Sequence, residues 1–275
     1  MGASLAFVRL LPRRAMSRAL GFLAELPVPS LLLRPVLWAY SKGFGVDRSE
    51  CARPFGAYRS FNDFFTRELR EGLRPLAADP VVSPVDARVY MSGAVEGGTI
   101  LQVKGVPYAL ADLLGSAADA APFDGGSFVT AYLSPKDYHR IHWPVDGTVE
   151  RIRHLPGDLW PVNDGALAGV PGLFARNERV AIFGTTDAGH AFALVPVGAL
   201  NVGSIRLAFH PLRTNRRGRR EPVDISLPAP VRAQRGVEAA RFAFGSAVVL
   251  LLARSADPLP RPEPGAVLRM GARLG

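Results

Sequence analysis

Two of the five histidines stand three residues apart in SPKDYHRIHWP (134–144), directly after a strand-like apolar run at 128–133. Histidine is the side chain that exchanges protons most readily near neutral pH, so His139 and His142, beside Asp137 and Tyr138, form a candidate acid/base site. In a helical turn the two rings would share a face; in an extended segment they would point apart. A metal is the rival use of such a pair. H-x-x-H supplies only two ligands, however, and no second histidine or cysteine cluster completes the set, so no metal is expected. Two hydrogen-bonded core histidines with no chemistry would also satisfy the pattern.

Two further segments could contribute. Asp86, in SPVD (83–86), stands at a turn entering a strand, where aspartate commonly closes an Asx turn. Gly245-Ser246, in RFAFGSA (241–247), opens the apolar run 248–252. It is not the G-x-S-x-G nucleophile elbow, because Ala243 and Ala247 occupy the outer positions. A serine after glycine can instead attack the carbonyl before it, since glycine has no side chain to obstruct the approach. A nearby histidine and aspartate would remove the hydroxyl proton.

These residues need a scaffold, and the chain has two textures. Residues 1–75 read as helical, ending in FNDFFTREL (61–69), where Ser60 or Asn62 could cap a helix whose apolar face is Phe61, Phe64, Phe65 and Leu69. From Val81 onward, short β-branched or alternating runs at 81–82, 100–103, 128–133, 148–152, 180–183, 191–197 and 248–252 are separated by Gly, Pro and Asp. One short helix is expected among them, at 110–114. The expectation is an α+β fold with a helical N-terminal region (1–75) and a β-rich catalytic domain (76–275). PVDARV (84–89) and PVDGTV (144–149) echo each other, each as a turn feeding a strand.

The 275 residues carry 33 basic and 24 acidic side chains, a balance of +9, and all but three of the basic residues are arginine. That excess favours an anionic partner, either nucleic acid or an acidic membrane surface. The first forty residues contain short apolar pieces broken by arginine and proline, too short to span a bilayer but suited to helices lying in its interface, where Trp38 and Tyr40 would also be at home. The same pieces could instead pack on the protein's own core. A single cysteine, Cys51, excludes a disulfide framework and multi-cysteine metal centres. RTNRRGRREP (213–222) reads as a basic loop, and 258–264 as an extended surface segment.

Together the segments FNDFFTRELREGLRP (61–75), SPVDARV (83–89), YLSPKDYHRIHWPVDG (132–147), PGDLWPVN (156–163), GLFARNERV (172–180), VGALNVGSI (197–205) and FGS (244–246) resemble the phosphatidylserine decarboxylase proenzymes of the pyruvoyl-dependent, membrane-associated bacterial type. The resemblance implies that Ser246 attacks the Gly245 carbonyl and converts the peptide bond to an ester. Elimination then leaves a dehydroalanine, which hydrolyses to a pyruvoyl group with loss of ammonia. The products are a large chain, 1–245, and a small chain, 246–275, headed by the cofactor. By the same resemblance Asp86, His142 and Ser246 are the triad of this maturation, and His139 serves decarboxylation and reprotonation. The implied substrate is phosphatidylserine and the products phosphatidylethanolamine and carbon dioxide. The two chains of one precursor stay together, with a dimer of such pairs as a further expectation, on the cytoplasmic face of the cell membrane. Phe244-Gly245-Ser246-Ala247 departs from the family's common Leu-Gly-Ser-Thr by lacking the last hydroxyl. The rival readings are an uncleaved lipid-binding relative, a serine hydrolase of lipid esters, and a nucleic-acid-binding β protein that uses the arginines at 213–220.

Overall fold

Proline sets the bounds of the first helices. The computed structural model describes residues 8, 10–102, 105–200, 204–216, 218, 220–243, 247–254 and 261–274. Within it α1 (Arg13–Glu25) begins after Pro12 and stops short of Pro27, while α2 (Ser30–Phe44) begins after Pro29. Proline suits a helix start, having no N–H to leave unpaired, and disfavours the helical conformation in the residue before it. Helix α2 ends at Gly45, whose φ of 74° is the left-handed cap that glycine adopts without strain. Its buried residues Leu33, Leu37 and Ser41 recur every fourth position, and the two leucines pack with Tyr58 and Phe64 in a small core of their own. Leu10, Phe22, Leu23, Leu31, Leu32 and Trp38 stay exposed on the helical layer, Leu31 at 82%.

Ser60 caps α3 (Phe61–Phe65), accepting a bond from the Asp63 N–H at 3.1 Å. The helix is shorter than its apolar spacing suggests. Leu69 lies beyond it, in a β-bridge with Cys51, and the buried residues of the helix are Asn62, Phe64 and Phe65, with Phe61 half-buried.

The strands that follow are β1 (Ala87–Ala94), β2 (Thr99–Gln102), β3 (Val106–Ala109), β4 (Ser127–Tyr132), β5 (Arg140–His142), β6 (Gly147–Leu155), β7 (Arg179–Thr186), β8 (Ala191–Val197), β9 (Ser204–Leu207), β10 (Val223–Ala233), β11 (Glu238–Ala243), β12 (Ala247–Leu252) and β13 (Val267–Leu268). Eight form an antiparallel sheet in the order β10-β6-β7-β8-β12-β4-β1-β13; β5-β11-β9 make a smaller sheet, and β2-β3 a hairpin. Both copies of the P-V-D echo lead into a strand, β1 and β6. The expected helix at 110–114 is α4 (Leu110–Leu114), joined by α5 (Ala117–Ala120), α6 (Asp164–Gly169) and α7 (Leu173–Arg176).

Strand β12 is the centre of this arrangement. It pairs through all six residues with β4 on one side and β8 on the other. Ala247, Val249 and Leu251 pack into a core shared with α4 and α7, whereas Val248, Leu250 and Leu252 pack into one shared with β5, β9 and β11. A strand buried on both faces has no polar side to alternate with, which is why its sequence is a continuous apolar run. Because β11 belongs to the small sheet and β12 to the large one, the chain changes sheets between Ala243 and Ala247. The fold is α+β, with helices first and a β-rich core after them.

Candidate active site

The histidine segment is extended, and its two rings are held differently. A turn precedes them: the Asp137 carboxylate accepts from the Ser134 N–H and hydroxyl, each at 2.7 Å, so that side chain is committed to its own loop. It is the Asp137 carbonyl, 2.8 Å from Nδ1 of His139, that meets a histidine. A carbonyl can only accept, so Nδ1 carries the hydrogen and Nε2 the lone pair. That Nε2 is buried and makes no hydrogen bond to any described residue, and the ring as a whole is fully buried. Burial, reinforced by the nearby Arg67 guanidinium, pushes the His139 pKa down to about 3. The ring lies against Phe65 of α3, with centroids 4.0 Å apart.

His142, at the end of β5, has both nitrogens occupied. Nδ1 donates to the Gly236 carbonyl at 2.7 Å, and Nε2 accepts from the Tyr138 hydroxyl at 3.1 Å. Burial lowers its pKa as well, partly opposed by the Gly236 bond. Tyr138 is pushed up to about 12 by burial, so its hydroxyl remains a donor.

Asp86 is brought next to His142 by the backbone, since the His142 N–H donates to the Pro84 carbonyl at 2.9 Å. The two side chains do not share a hydrogen bond. The Asp86 carboxylate accepts from Arg74 Nε at 2.9 Å, Arg269 Nη1 at 3.1 Å and the Met270 N–H at 2.8 Å. It is 2% exposed, and two guanidiniums balance its charge. The imidazole of His142 is therefore oriented by Gly236, and Asp86 acts on it only through its charge at a distance. Arg269 and Met270 belong to the 246–275 segment, so Asp86 also fastens that segment to the rest. Gly245 and Ser246 lie outside the described residues. Their neighbours do not: Phe242 donates to the His139 carbonyl at 3.0 Å, so β11 delivers the chain toward Gly245 alongside His139.

Several contributors escaped the sequence reading. Arg67 is 2% exposed and donates to the carbonyls of Lys136 and Asp137, fixing the turn before His139, yet its Nε and Nη1 have no described partner. Arg140 ties β5 to the Thr66 carbonyl and to Glu68 and Glu238. The FARNER stretch is structural. Asn177 bonds Trp160 and Gly198, Arg179 donates to carbonyls at Leu113 and Asp112, and buried Glu178 pairs with His154 at 2.9 Å. Trp143 packs with Phe209 in the second core rather than beside His139. Among the described residues no group of three or more His, Cys, Asp or Glu side chains gathers as a metal site.

The family model described as phosphatidylserine decarboxylase matches residues 61–275. A phosphatidylserine decarboxylase proenzyme of Anaeromyxobacter sp. (strain K) is 44% identical over 98% of this chain and 96% of its own. Proteins of the same name from Acidovorax ebreus and Myxococcus xanthus are 45% and 38% identical, covering 96% and 98% of this chain and 94% and 96% of theirs. With the histidine strand, the buried aspartate and the sheet change before Ala247 all inside the matched span, this chain belongs to the phosphatidylserine decarboxylase family.

Proposed function

We propose that this protein is a precursor that cuts itself between Gly245 and Ser246 and then decarboxylates phosphatidylserine to phosphatidylethanolamine. The observation that carries the reading is His139: a fully buried imidazole whose Nε2 has a lone pair and no described partner, beside the strand that leads to Gly245. A buried nitrogen with a lone pair and no described partner, set beside the strand that leads to Gly245, is placed to meet a ligand or a reacting group.

In the maturation step, the Ser246 hydroxyl attacks the Gly245 carbonyl carbon while His142 takes the hydroxyl proton at Nε2, which requires the Tyr138 bond to open. The C–N bond between the two residues then breaks, and its nitrogen takes that proton from His142 to become the free amine of the esterified serine. The new ester then loses its serine Cα proton, the Cβ–O bond breaks, and Gly245 leaves as a carboxylate. Hydrolysis of the remaining dehydroalanine releases ammonia.

A pyruvoyl group made this way supplies a carbonyl that bonds the substrate amine and takes up the electrons freed as carbon dioxide departs. The chain's residues fit such a group: it would head β12, whose pairing on both sides and complete burial would hold the small chain after the cut. His139 presents Nε2 as the atom at which one proton is moved, once the negative charge of a bound substrate offsets the burial and the Arg67 charge that hold its pKa at about 3. Its dry surroundings favour loss of a carboxylate whose charge spreads as it leaves.

Access to the lipid would come through the helical layer. No helix among the described residues is long and apolar enough to cross a membrane. Leu10, Phe22, Leu31, Leu32 and Trp38 on its outer surface support peripheral attachment, at the cytoplasmic face of the cell membrane, with arginines such as Arg14 and Arg34 near the lipid phosphates.

Intact mass under denaturing conditions tests the whole reading. Two species split at Gly245–Ser246, the smaller carrying a pyruvoyl mass and no free amine, are expected, and under native conditions they should elute together. A single full-length mass would sink it and return the uncleaved lipid binder and the serine hydrolase.

A further inference from the structure

A cavity of about 480 Å³ opens between α1 and the loop after β9, with Ala243, the last described residue before Gly245, in its wall. Arg18, Arg213 and Arg216 line it against a single carboxylate, Glu25. Glu25 is already shared, since one of its oxygens accepts from both Arg206 and Arg213. Arg18 and Arg216 make no hydrogen bond or ion pair to any described residue. Arg213 is aimed by Glu25 and by a 3.0 Å bond from Nε to Ser204 Oγ, which leaves Nη1 without a described partner. The cavity therefore holds more positive charge than its own residues neutralise.

The wall is also rigid where rigidity is costly. Asn215 has a φ of 57°, a left-handed conformation uncommon outside glycine. It is kept there by Glu178, which accepts the Asn215 N–H at 3.0 and 3.1 Å from its two oxygens and is held in turn by His154. The buried Asn215 side-chain oxygen has no partner among the described residues. A residue in the left-handed region, fixed by a buried hydrogen-bonded carboxylate and presenting a polar atom without a described partner, is the kind of preorganisation that serves a ligand.

We propose that this cavity is the subsite for the phosphodiester of the lipid head group, with Arg213 and Arg18 as its anion-binding side chains. The inference rests on the decarboxylase reading for the identity of the lipid. In phosphatidylserine the phosphodiester lies a few bonds from the amine and between it and the glycerol. The cavity has the same order: Ala243 of β11, which leads toward Gly245, on one side, and α1 with its exposed Phe22 on the other. Arginine suits the task because its planar donors match two phosphate oxygens at once. The substrate carboxylate is less suited to this position, because it must leave from dry surroundings near His139, not from an open cationic cleft.

Two arms test this. In the Ser246→Ala precursor, which cannot form a pyruvoyl group, binding of water-soluble glycerophosphoserine is followed by phosphorus NMR. Adding Arg213→Gln or Arg18→Glu should weaken it by about tenfold, the scale of one charge-assisted contact. In the self-cleaved enzyme the same two substitutions should raise KM for monomeric dihexanoyl-phosphatidylserine by a similar factor, with intact mass showing the cut complete. Arg18 sits half-buried on a helix surface and serves if Arg213→Gln fails to fold. Unchanged glycerophosphoserine affinity together with unchanged KM, even if vesicle binding falls, would overturn the subsite and leave the arginines as bilayer contacts only. Failure of the decarboxylase reading shows elsewhere, as an uncut or inactive wild-type protein.

Discussion

The surroundings of His139 and His142 differ more than their separation of three residues suggests. Around His139 the protein supplies one bond to Nδ1, a phenylalanine ring and a nearby arginine, and leaves Nε2 empty. Around His142 it supplies a carbonyl and a tyrosine hydroxyl, so no ring nitrogen is free. Both imidazoles are neutral at rest, because burial opposes charge on each. The contrast teaches that proximity in sequence is no guide to shared work. His139 keeps a nitrogen without a partner among the described residues, while His142 can act only by exchanging one internal partner for another.

Exchanging each histidine for glutamine should separate the two regions most sharply. His142→Gln is expected to leave the chain uncut, so decarboxylation vanishes with the cofactor. His139→Gln should still cut itself, yet lose decarboxylation by about 10²–10⁴-fold, the usual contribution of a positioned acid/base group. Mass spectrometry reads the first effect and carbon dioxide release the second. If His139→Gln fails to cut while His142→Gln succeeds, the assignment is reversed and the distinction drawn from their partners is wrong.

Much of the scaffold could be read from residue order. The apolar runs at 248–252 and 191–197 marked β12 and β8, both of them buried strands. The prolines were a mixed guide: Pro12 and Pro29 precede helix starts, but Pro35, which breaks the apolar pieces in the sequence, lies inside α2. Other elements left no such trace. Strand β5 is three residues long, and its pattern RIH has no period to detect; β11 reads as a mixture of alanine and charge because small residues suffice between two neighbouring strands. The candidate site followed the same division. The residue types at 86, 139 and 142 stood out, but their partners did not, because Gly236, Arg74 and Arg269 all lie in irregular stretches outside the strands, where no periodicity marks what they face. Gly236 illustrates the difficulty: it acts through its carbonyl, a group every residue carries.

Acid should expose the same contrast as a difference in stability. His139 titrates near 6.5 when unfolded and at about 3 when folded, so between those values the unfolded chain binds a proton that the folded chain refuses. Stability therefore falls as pH drops below about 6.5, by up to about 1.4 kcal/mol per pH unit for a histidine kept neutral. His142 pulls in the same direction, but the Gly236 carbonyl and nearby carboxylates oppose its shift. Denaturant midpoints compared at about pH 7 and about pH 5 should show a flatter dependence in His139→Gln than in His142→Gln. Equal slopes would mean that the two rings are equally able to accept a proton in place, and the distinction between an empty and an occupied nitrogen would lose its force.

The smallest effect concerns the hydroxyl that occupies His142. Tyr138→Phe keeps the ring in its buried place and removes only the donor to Nε2. One neutral hydrogen bond is worth about 1 kcal/mol net, so a loss of stability near that size is expected from the denaturant midpoint. Its effect on self-cleavage distinguishes two roles for the tyrosine. As a partner that must yield before His142 can take the serine proton, Tyr138 restrains the base, and its removal should leave the cutting rate unchanged or raise it a few-fold. As a proton carrier in its own right it would be needed, and the variant would stall as His142→Gln does. The high pKa of Tyr138 favours the first outcome, since a buried phenol held near 12 resists the phenolate form that proton transfer would demand. A time course of the full-length and cut species decides between them. A stalled variant would make the tyrosine and His142 one acid/base unit, against a lone His139.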